Sequence, residues 1–356
     1  MPYLIDSPER EKPSLMPRVI LGSPLFNHAA HFGEAIESIL NQTFTDFALV
    51  LVDDRSTDET PQIAREYEAL DPRVWFCQNE VRLGLIDNSR KALALARDRH
   101  PDAEYFAWVS DHDLWHPRWL QELVDALDAN PDVALAYPLN RRIGCSGEVL
   151  KRLPWRFDTF GLTNRWARLR LGIRHMRAGN MVYGLYRIGV LQRAGVYRKV
   201  VIPDRLLFAE LSLYGQFKQV PQVLWFRRWY GRVFSLERQR ASFFPSGRPL
   251  YAYVPWWLSH TACLFWTFSV RGDGVPEVSR AAGIGVALLY FGCATYVHAR
   301  QSVRGAVGHV AEWLGALRQR GRLVLNSLRR QGRARARGVK SWVMAHLNEY
   351  LGVPRP

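Results

Sequence analysis

The segment "FALVLVDDRSTDET", residues 47–60, restricts the fold more than any other stretch. Its apolar residues from Phe47 to Val52 run without polar alternation and stop at Asp53 and Asp54. Such a strand must be covered on both faces, the condition of a parallel strand between helical layers. The pattern recurs in "RVILGSP" (18–24), "RVWFCQN" (73–79), "EYFAWVSD" (104–111) and "VALAYPL" (133–139). Between these runs lie segments with helical character: 31–43, with apolar residues at Ile36, Ile39 and Leu40; 60–70, with Pro61 in its first turn; 87–99; and 116–130. Strand and helix alternate through Leu139. The chain is therefore expected to form an α/β fold, a mostly parallel sheet with helices on both faces. With 48% apolar residues in a length of 356, it can bury such a core and carry an appendage.

In sheets of this kind, ligands bind at the carboxyl ends of the strands. Asp53, Asp54, Asp111 and Asp113 all fall at such ends and should converge on one edge. Carboxylates gathered there repel one another unless a cation lies among them. The stretch "SDHDLWHP" (110–117) sets Asp111, His112 and Asp113 side by side. Asp-x-Asp after a strand offers hard oxygen ligands for Mg²⁺ or Mn²⁺, and the ion could neutralise a diphosphate. The plainer reading is that Asp111 or Asp113 caps the helix that follows. No GxGxxG fingerprint is present, which speaks against a dinucleotide site. Cys77, Cys145, Cys263 and Cys293 are scattered without metal-finger spacing, the pattern of a reducing compartment.

Five motifs occur in order: "SPLFN" (23–27), "VDDRSTDET" (52–60), "NEVRLGL" (79–85), "SDHDLWHP" (110–117) and "PDRLLFAELSLYGQF" (203–217). Together they resemble the family 2 glycosyltransferases over about residues 18–230. The resemblance implies the GT-A fold and transfer of a sugar from a nucleotide diphosphate sugar, usually with inversion. It also implies roles for individual residues. Pro24, Phe26 and Asn27 match the family's turn beside the nucleoside, with Phe26 in place of Tyr. Asp54, with Asp53 beside it, matches the acid that reads the nucleobase. Arg82 falls in a segment that lines the nucleotide pocket. Asp204, at the head of a helix, matches the catalytic base, and is also a plausible helix cap. Asp111 belongs with both the nucleotide-sugar contacts and the metal site. The metal register stays open between two settings. Anchored on Pro117, the central ligand falls on His112; shifted by one residue, the pair is Asp111 and Asp113. Imidazole would tilt the preference towards Mn²⁺. "FRRWYGRVFS" (226–235) lacks the His common in relatives, and Arg227, Arg228 and Arg232 could hold the diphosphate instead.

The C-terminal third has a different character. Residues 249–270 and 281–299 contain no formal charge and approach the ~20 residues that span a bilayer. They could form a membrane hairpin or a pair of packed helices. From Arg300 to Pro356 there are twelve Arg and Lys against two acids, within a net charge of +15 for the chain. Apolar residues at Val303, Val307, Val310, Leu314 and Leu317 add a helical stripe, so an anionic membrane surface is the expected partner. No nucleic-acid reader motif is present. The organisation expected is a lead-in at 1–17, a catalytic domain at 18–235, a linker at 236–248, the apolar pair at 249–299 and a basic tail at 300–356. The N-terminus shows no basic-then-apolar signal, so the expected location is the cytoplasm, at the inner face of the cell membrane. The acceptor is expected to be a glycan or a lipid-linked envelope precursor. Two other readings stay open: a nucleotidyltransferase, for which "ILGSPLFN" (20–27) has too few glycines, and a non-catalytic basic membrane- or nucleic-acid-binding protein with a degenerate domain.

Overall fold

A computed structural model describes residues 16–151, 153–231, 235–271 and 278–303. The lead-in up to residue 15, Arg232 and the basic tail beyond Val303 lie outside them. Residues up to Thr295 form one compact unit, and the chain from Tyr296 forms a second.

The strands are β1 (Val19–Leu25), β2 (Phe47–Asp53), β3 (Val74–Gln78), β4 (Tyr105–Trp108), β5 (Leu114–Trp115), β6 (Val133–Ile143), β7 (Leu185–Arg187) and β8 (Gln216–Arg228). The helices are α1 (Ala29–Leu40), α2 (Thr60–Leu70), α3 (Leu85–Arg99), α4 (Trp119–Asp128), α5 (Arg165–His175), α6 (Ile188–Arg193), α7 (Pro203–Tyr214), α8 (Leu236–Phe243), α9 (Trp256–Phe265) and α10 (Arg280–Val303). One sheet of eight strands has the order β3-β2-β1-β4-β7-β6-β8-β5. The β3-β2-β1-β4 half is parallel. Beyond it the sheet is mixed: β7 runs antiparallel to β4 and β6, β8 parallel to β6, and β5 antiparallel to β8.

The apolar runs place one core on each side of the sheet. Because side chains alternate along a strand, Val19, Leu21, Leu49, Leu51, Tyr105 and Ala107 enter one core with α1 and α4. Ile20, Val50, Val52, Phe106 and Trp108 enter the other, with α3, α5 and α7. Gly22 marks the closest approach: a Cβ there would meet the Phe106 ring at 3.0 Å and the Ala92 Cβ at 3.2 Å.

The two apolar segments behave differently from each other. The first forms α9, which continues as a π-helical turn over Trp266–Arg271. The second forms α10, 24 residues long and apolar enough by length and composition to cross a membrane. In this structure both contribute to the second core: Trp256, Leu264, Phe268, Val286 and Tyr290 share it with Tyr186 and Phe208. His260 on α9 is fully buried and ties the pair down. One ring nitrogen lies 2.6 Å from the Tyr290 hydroxyl and the other 2.8 Å from the Val201 carbonyl. The carbonyl can only accept, so Nε2 carries the proton and Nδ1 accepts from Tyr290.

Burial lowers the His260 pKa from 6.5 to about 4. Between those values the unfolded chain binds a proton that the native state refuses, so stability falls as pH drops through that window. The wild type should lose up to about 1.4 kcal/mol per pH unit from this group. Chemical denaturation of wild type and His260→Gln at pH 7, 6, 5 and 4 should show a steeper decline in the wild type, and parallel declines would refute the assignment.

Candidate active site

The topology brings the loops after β1, β2 and β4 to one edge, where the buried carboxylates meet different partners. Asp53 is fully buried. Its Oδ2 accepts from Ser56 N (2.9 Å) and Gln78 Nε2 (3.1 Å), so it braces its own loop and does not line the cleft. Asp54 does line it. Its carboxylate accepts from Asn79 Nδ2 (3.1 Å), Leu83 N (2.6 Å) and Gly84 N (2.9 Å), which fixes the loop carrying Arg82. Gly84 has φ +86°, and a Cβ there would come within 2.7 Å of Pro245 and the Ser242 carbonyl. The Arg82 guanidinium lies 3.9 Å from the centre of the Phe26 ring. Phe26 and Arg82 thus make a flat cation–π wall beside Asp54. Asn27 stands just outside the pocket, at φ 54°. Its Oδ1 accepts from Thr57 N (2.8 Å) and its own N–H donates to Ser56 Oγ (2.9 Å), locking the β1 and β2 loops together.

Asp111 and Asp113 separate in function despite their spacing. Asp113 Oδ2 accepts from Trp225 Nε1 (2.8 Å) and Oδ1 from Arg228 N (2.8 Å). It holds β8 against the loop after β4 and is left out of the cation cluster expected from Asp-x-Asp. Arg228 is structural too, bonded to the carbonyls of His112 and Cys145 and to Glu34. Asp111 takes the opposite direction. It accepts from Phe26 N (3.2 Å), lies 2.7 Å from His112 Nδ1, and lies 2.9 Å from His28 Nδ1. Burial works against its ionisation, but the hydrogen bond from His112 and the closeness of the His28 imidazole outweigh that and hold its pKa well below the usual carboxylate range. The ligating atoms of His28, Asp111 and His112 all fall within 4.8 Å of one another.

This set fits a divalent cation. His28 Nδ1 is buried and has no hydrogen bond of acceptable geometry, although Asp111 is beside it. Two imidazoles and a carboxylate suit a borderline ion better than Mg²⁺, which prefers oxygen alone. Tyr230 covers the cluster, its ring 6.2 Å from His28 and 5.6 Å from His112. His28 is the residue that sequence reasoning missed. It follows the "SPLFN" turn directly, and the adjacency of β1 and β4 carries that turn to Asp111.

Three adjoining cavities run away from Asp54. The first, about 200 Å³, is lined by Pro24, Phe26, Asp54, Arg82, Asp111 and His112 among others. The second, also about 200 Å³, shares Pro24, Leu85 and Tyr183 with the first. The third, about 380 Å³, shares Gly179, Asp204, Arg227 and Gln239 with the second. Asp204 is in the first turn of α7, behind Pro203, and the residue before them, Ile202, is left-handed at φ 55°. A β-branched residue in that conformation is strained, and such strain gathers at functional sites. Burial raises the Asp204 pKa, against the Arg205 backbone N–H and the charges of Arg205 and Arg227. Glu210, two turns on, is fully buried in an ion pair with Arg198 (3.0 Å) and does not line these cavities.

Parts of this chain resemble known proteins. The family model for glycosyl transferase family 2 matches residues 22–184. A chondroitin synthase of Escherichia coli is 29% identical over 153 residues, 42% of this chain and 21% of its own. A putative glycosyltransferase, EpsE, of Bacillus subtilis is 33% identical over 113 residues, 32% of this chain and 39% of its own. A putative teichuronic acid biosynthesis glycosyltransferase, TuaG, of the same organism is 28% identical over 109 residues, 31% and 41%. The chain spans between a fifth and about two fifths of the length of these relatives. The crystal structure of S. aureus TarS shares the fold, with a TM-score of 0.51 at 16% identity over 78% of this chain and 43% of that one. The chain carries a family 2 glycosyltransferase domain.

Proposed function

We propose that this protein transfers a sugar from a nucleoside diphosphate sugar to a hydroxyl of a glycan or lipid-linked acceptor, with inversion at the anomeric carbon. One observation carries the reading: the nucleoside-sized pocket at Asp54 and Arg82 continues through a second cavity to Asp204, which borders a third. Phe26 and Arg82 stack on the base and Asp54 faces its edge. His28, Asp111 and His112 would hold a divalent ion, Mn²⁺ before Mg²⁺, which when bound neutralises the diphosphate leaving group. Asp204 lies between donor and acceptor spaces, where a base is needed. Its carboxylate takes the proton of the acceptor hydroxyl as that oxygen bonds to the anomeric carbon. The bond from that carbon to the diphosphate oxygen breaks, and the nucleoside diphosphate leaves with its electron pair.

We also propose that the protein works at an anionic membrane surface on the cytoplasmic side. Leu258, Phe265 and Trp266 on one apolar segment, and Ile284, Leu288 and Phe291 on α10, are exposed. The last three repeat at helical spacing, and the basic tail follows α10 in the sequence.

Measurements of donor binding, transfer, Mn²⁺ affinity and membrane binding test this. A thermal-shift screen of UDP-, GDP- and dTDP-sugars with Mn²⁺ should find at least one stabilising donor, and Asp204→Asn should cut transfer of that sugar by about 10²–10⁴-fold with donor affinity kept. Because the Asp204 pKa is raised, the acid limb of the rate profile should lie above the ordinary carboxylate range and vanish in the variant. Absence of any donor binding would instead indicate a degenerate, non-catalytic domain. In Mn²⁺ titrations, His28→Ala should weaken binding by at least about tenfold, while Asp113→Ala should spare binding and cost about 2 kcal/mol of stability. The full chain should sediment with vesicles containing phosphatidylglycerol and not with phosphatidylcholine alone, and Leu288→Glu should reduce the bound fraction; equal partition to both vesicles would exclude the membrane reading.

A further inference from the structure

The direction in which α7 leaves its preceding loop is set against the local preference of the chain. Ile202, the residue before the helix, sits at φ 55° and ψ 49°. A β-branched side chain is crowded by the backbone in this left-handed conformation. The next residue is Pro203, which further disfavours a helical backbone at Ile202 and pushes it towards the extended region. A peptide unit is planar, so it rotates as a whole, changing the ψ of one residue and the φ of the next together. Rotation of the Val201–Ile202 peptide would therefore relieve Ile202. It would also re-aim the first turn of α7, which carries Asp204.

That one peptide is held at both ends by side chains from distant elements. Its carbonyl, on Val201, accepts from His260 Nε2 at 2.8 Å, and its N–H, on Ile202, donates to Gln239 Oε1 at 3.1 Å. His260 is on α9 and Gln239 on α8. The Tyr290 hydroxyl of α10 fixes the His260 ring by donating to Nδ1. His260 is fully buried, so losing its donor would leave a buried carbonyl unpaired. The residue on the other side of Asp204 is tied to α9 as well. Arg205 donates to the Ile173 carbonyl (2.7 Å), and its guanidinium lies 5.1 Å from the centre of the Trp256 ring. Gln239 and Ile202 line the third cavity with Asp204, but neither they nor His260 line the first.

We infer that His260 is a positioning residue for the transfer reaction: together with Gln239 it clamps the Val201–Ile202 peptide in the orientation that aims Asp204 into the cavities. The apolar helical pair is then a working part of the transferase domain as well as a lipid-facing surface. The inference rests on the proposed reading of Asp204 as base. The clamp itself is measurable without turnover.

The test compares the full-length wild type with His260→Leu, His260→Gln and the double variant His260→Leu with Ile202→Gly. In His260→Leu, amide hydrogen exchange should quicken over residues 200–206 and stay unchanged over β1 and β2. With the sugar nucleotide found in the donor screen, kcat should fall by about tenfold or more, because a base displaced by a fraction of an ångström loses its line to the hydroxyl. The donor's Kd should stay within about twofold, since the first cavity is untouched. His260→Gln keeps an N–H donor at this place and should hold kcat within about threefold of the wild type. Ile202→Gly should restore part of the lost kcat, because glycine takes the left-handed conformation without a clamp. A role in packing alone predicts no such rescue. Should His260→Leu fail to fold, Gln239→Met removes the other end of the clamp from a half-buried position and must give the same exchange change, kcat loss and rescue. Unchanged exchange over 200–206, an unchanged kcat, or a kcat loss that Ile202→Gly leaves as it was would overturn the inference. If Asp204→Asn transfers sugar as fast as the wild type, the base reading alone fails, and the exchange measurement still reports the clamp.

Discussion

Four carboxylates buried at one edge of the sheet govern how this protein is built. Left alone, Asp53, Asp54, Asp111 and Asp113 would repel each other and lose solvation. Each is answered by a different set of donors. Asp53 takes amides from its own loop and β3. Asp54 takes the backbone of the 83–84 turn, and Asp113 takes β8 through Trp225 and Arg228. Asp111 lies against two imidazoles, those of His28 and His112. The loops after β1, β2 and β4 are therefore each tied down through one of these carboxylates.

That division of labour explains why acids of similar sequence context have different chemistry. Asp53 is the last residue of β2 and Asp54 the first beyond it, and of the two only Asp54 lines the cleft. Asp111 and Asp113 leave a strand end, where backbone direction is set by what each carboxylate binds. Asp113 is claimed by an indole more than a hundred residues away. The cluster then recruits His28, three strands earlier in the chain but one strand away in the sheet.

The parallel half of the fold was legible because its signal is local. An uninterrupted apolar run followed by helical spacing leaves few alternatives, and α2 matches its expected bounds of 60–70. The other half was not. β5 and β7 are two and three residues long, too short for any periodicity, and β8 is a 13-residue strand whose irregular pairing with β6 breaks the alternation. The apolar pair near the C-terminus read equally well as a hairpin in lipid. In the structure both segments share the second core with the sheet, and the buried His260 bridge holds them there, a contact no hydropathy pattern encodes.

The sequence by itself determined the α/β framework, the sheet edge that presents acids, and the order of motifs that marks a family 2 glycosyltransferase domain. Those features follow from the period of apolar residues and from short-range spacing. Tertiary structure alone decided which acid faces the cleft, that His28 joins Asp111 and His112, and that four arginines from separate segments surround Asp204. Such groupings depend on strand order and on competition among distant donors for each buried carboxylate. Neither quantity has a signature in any short window of residues.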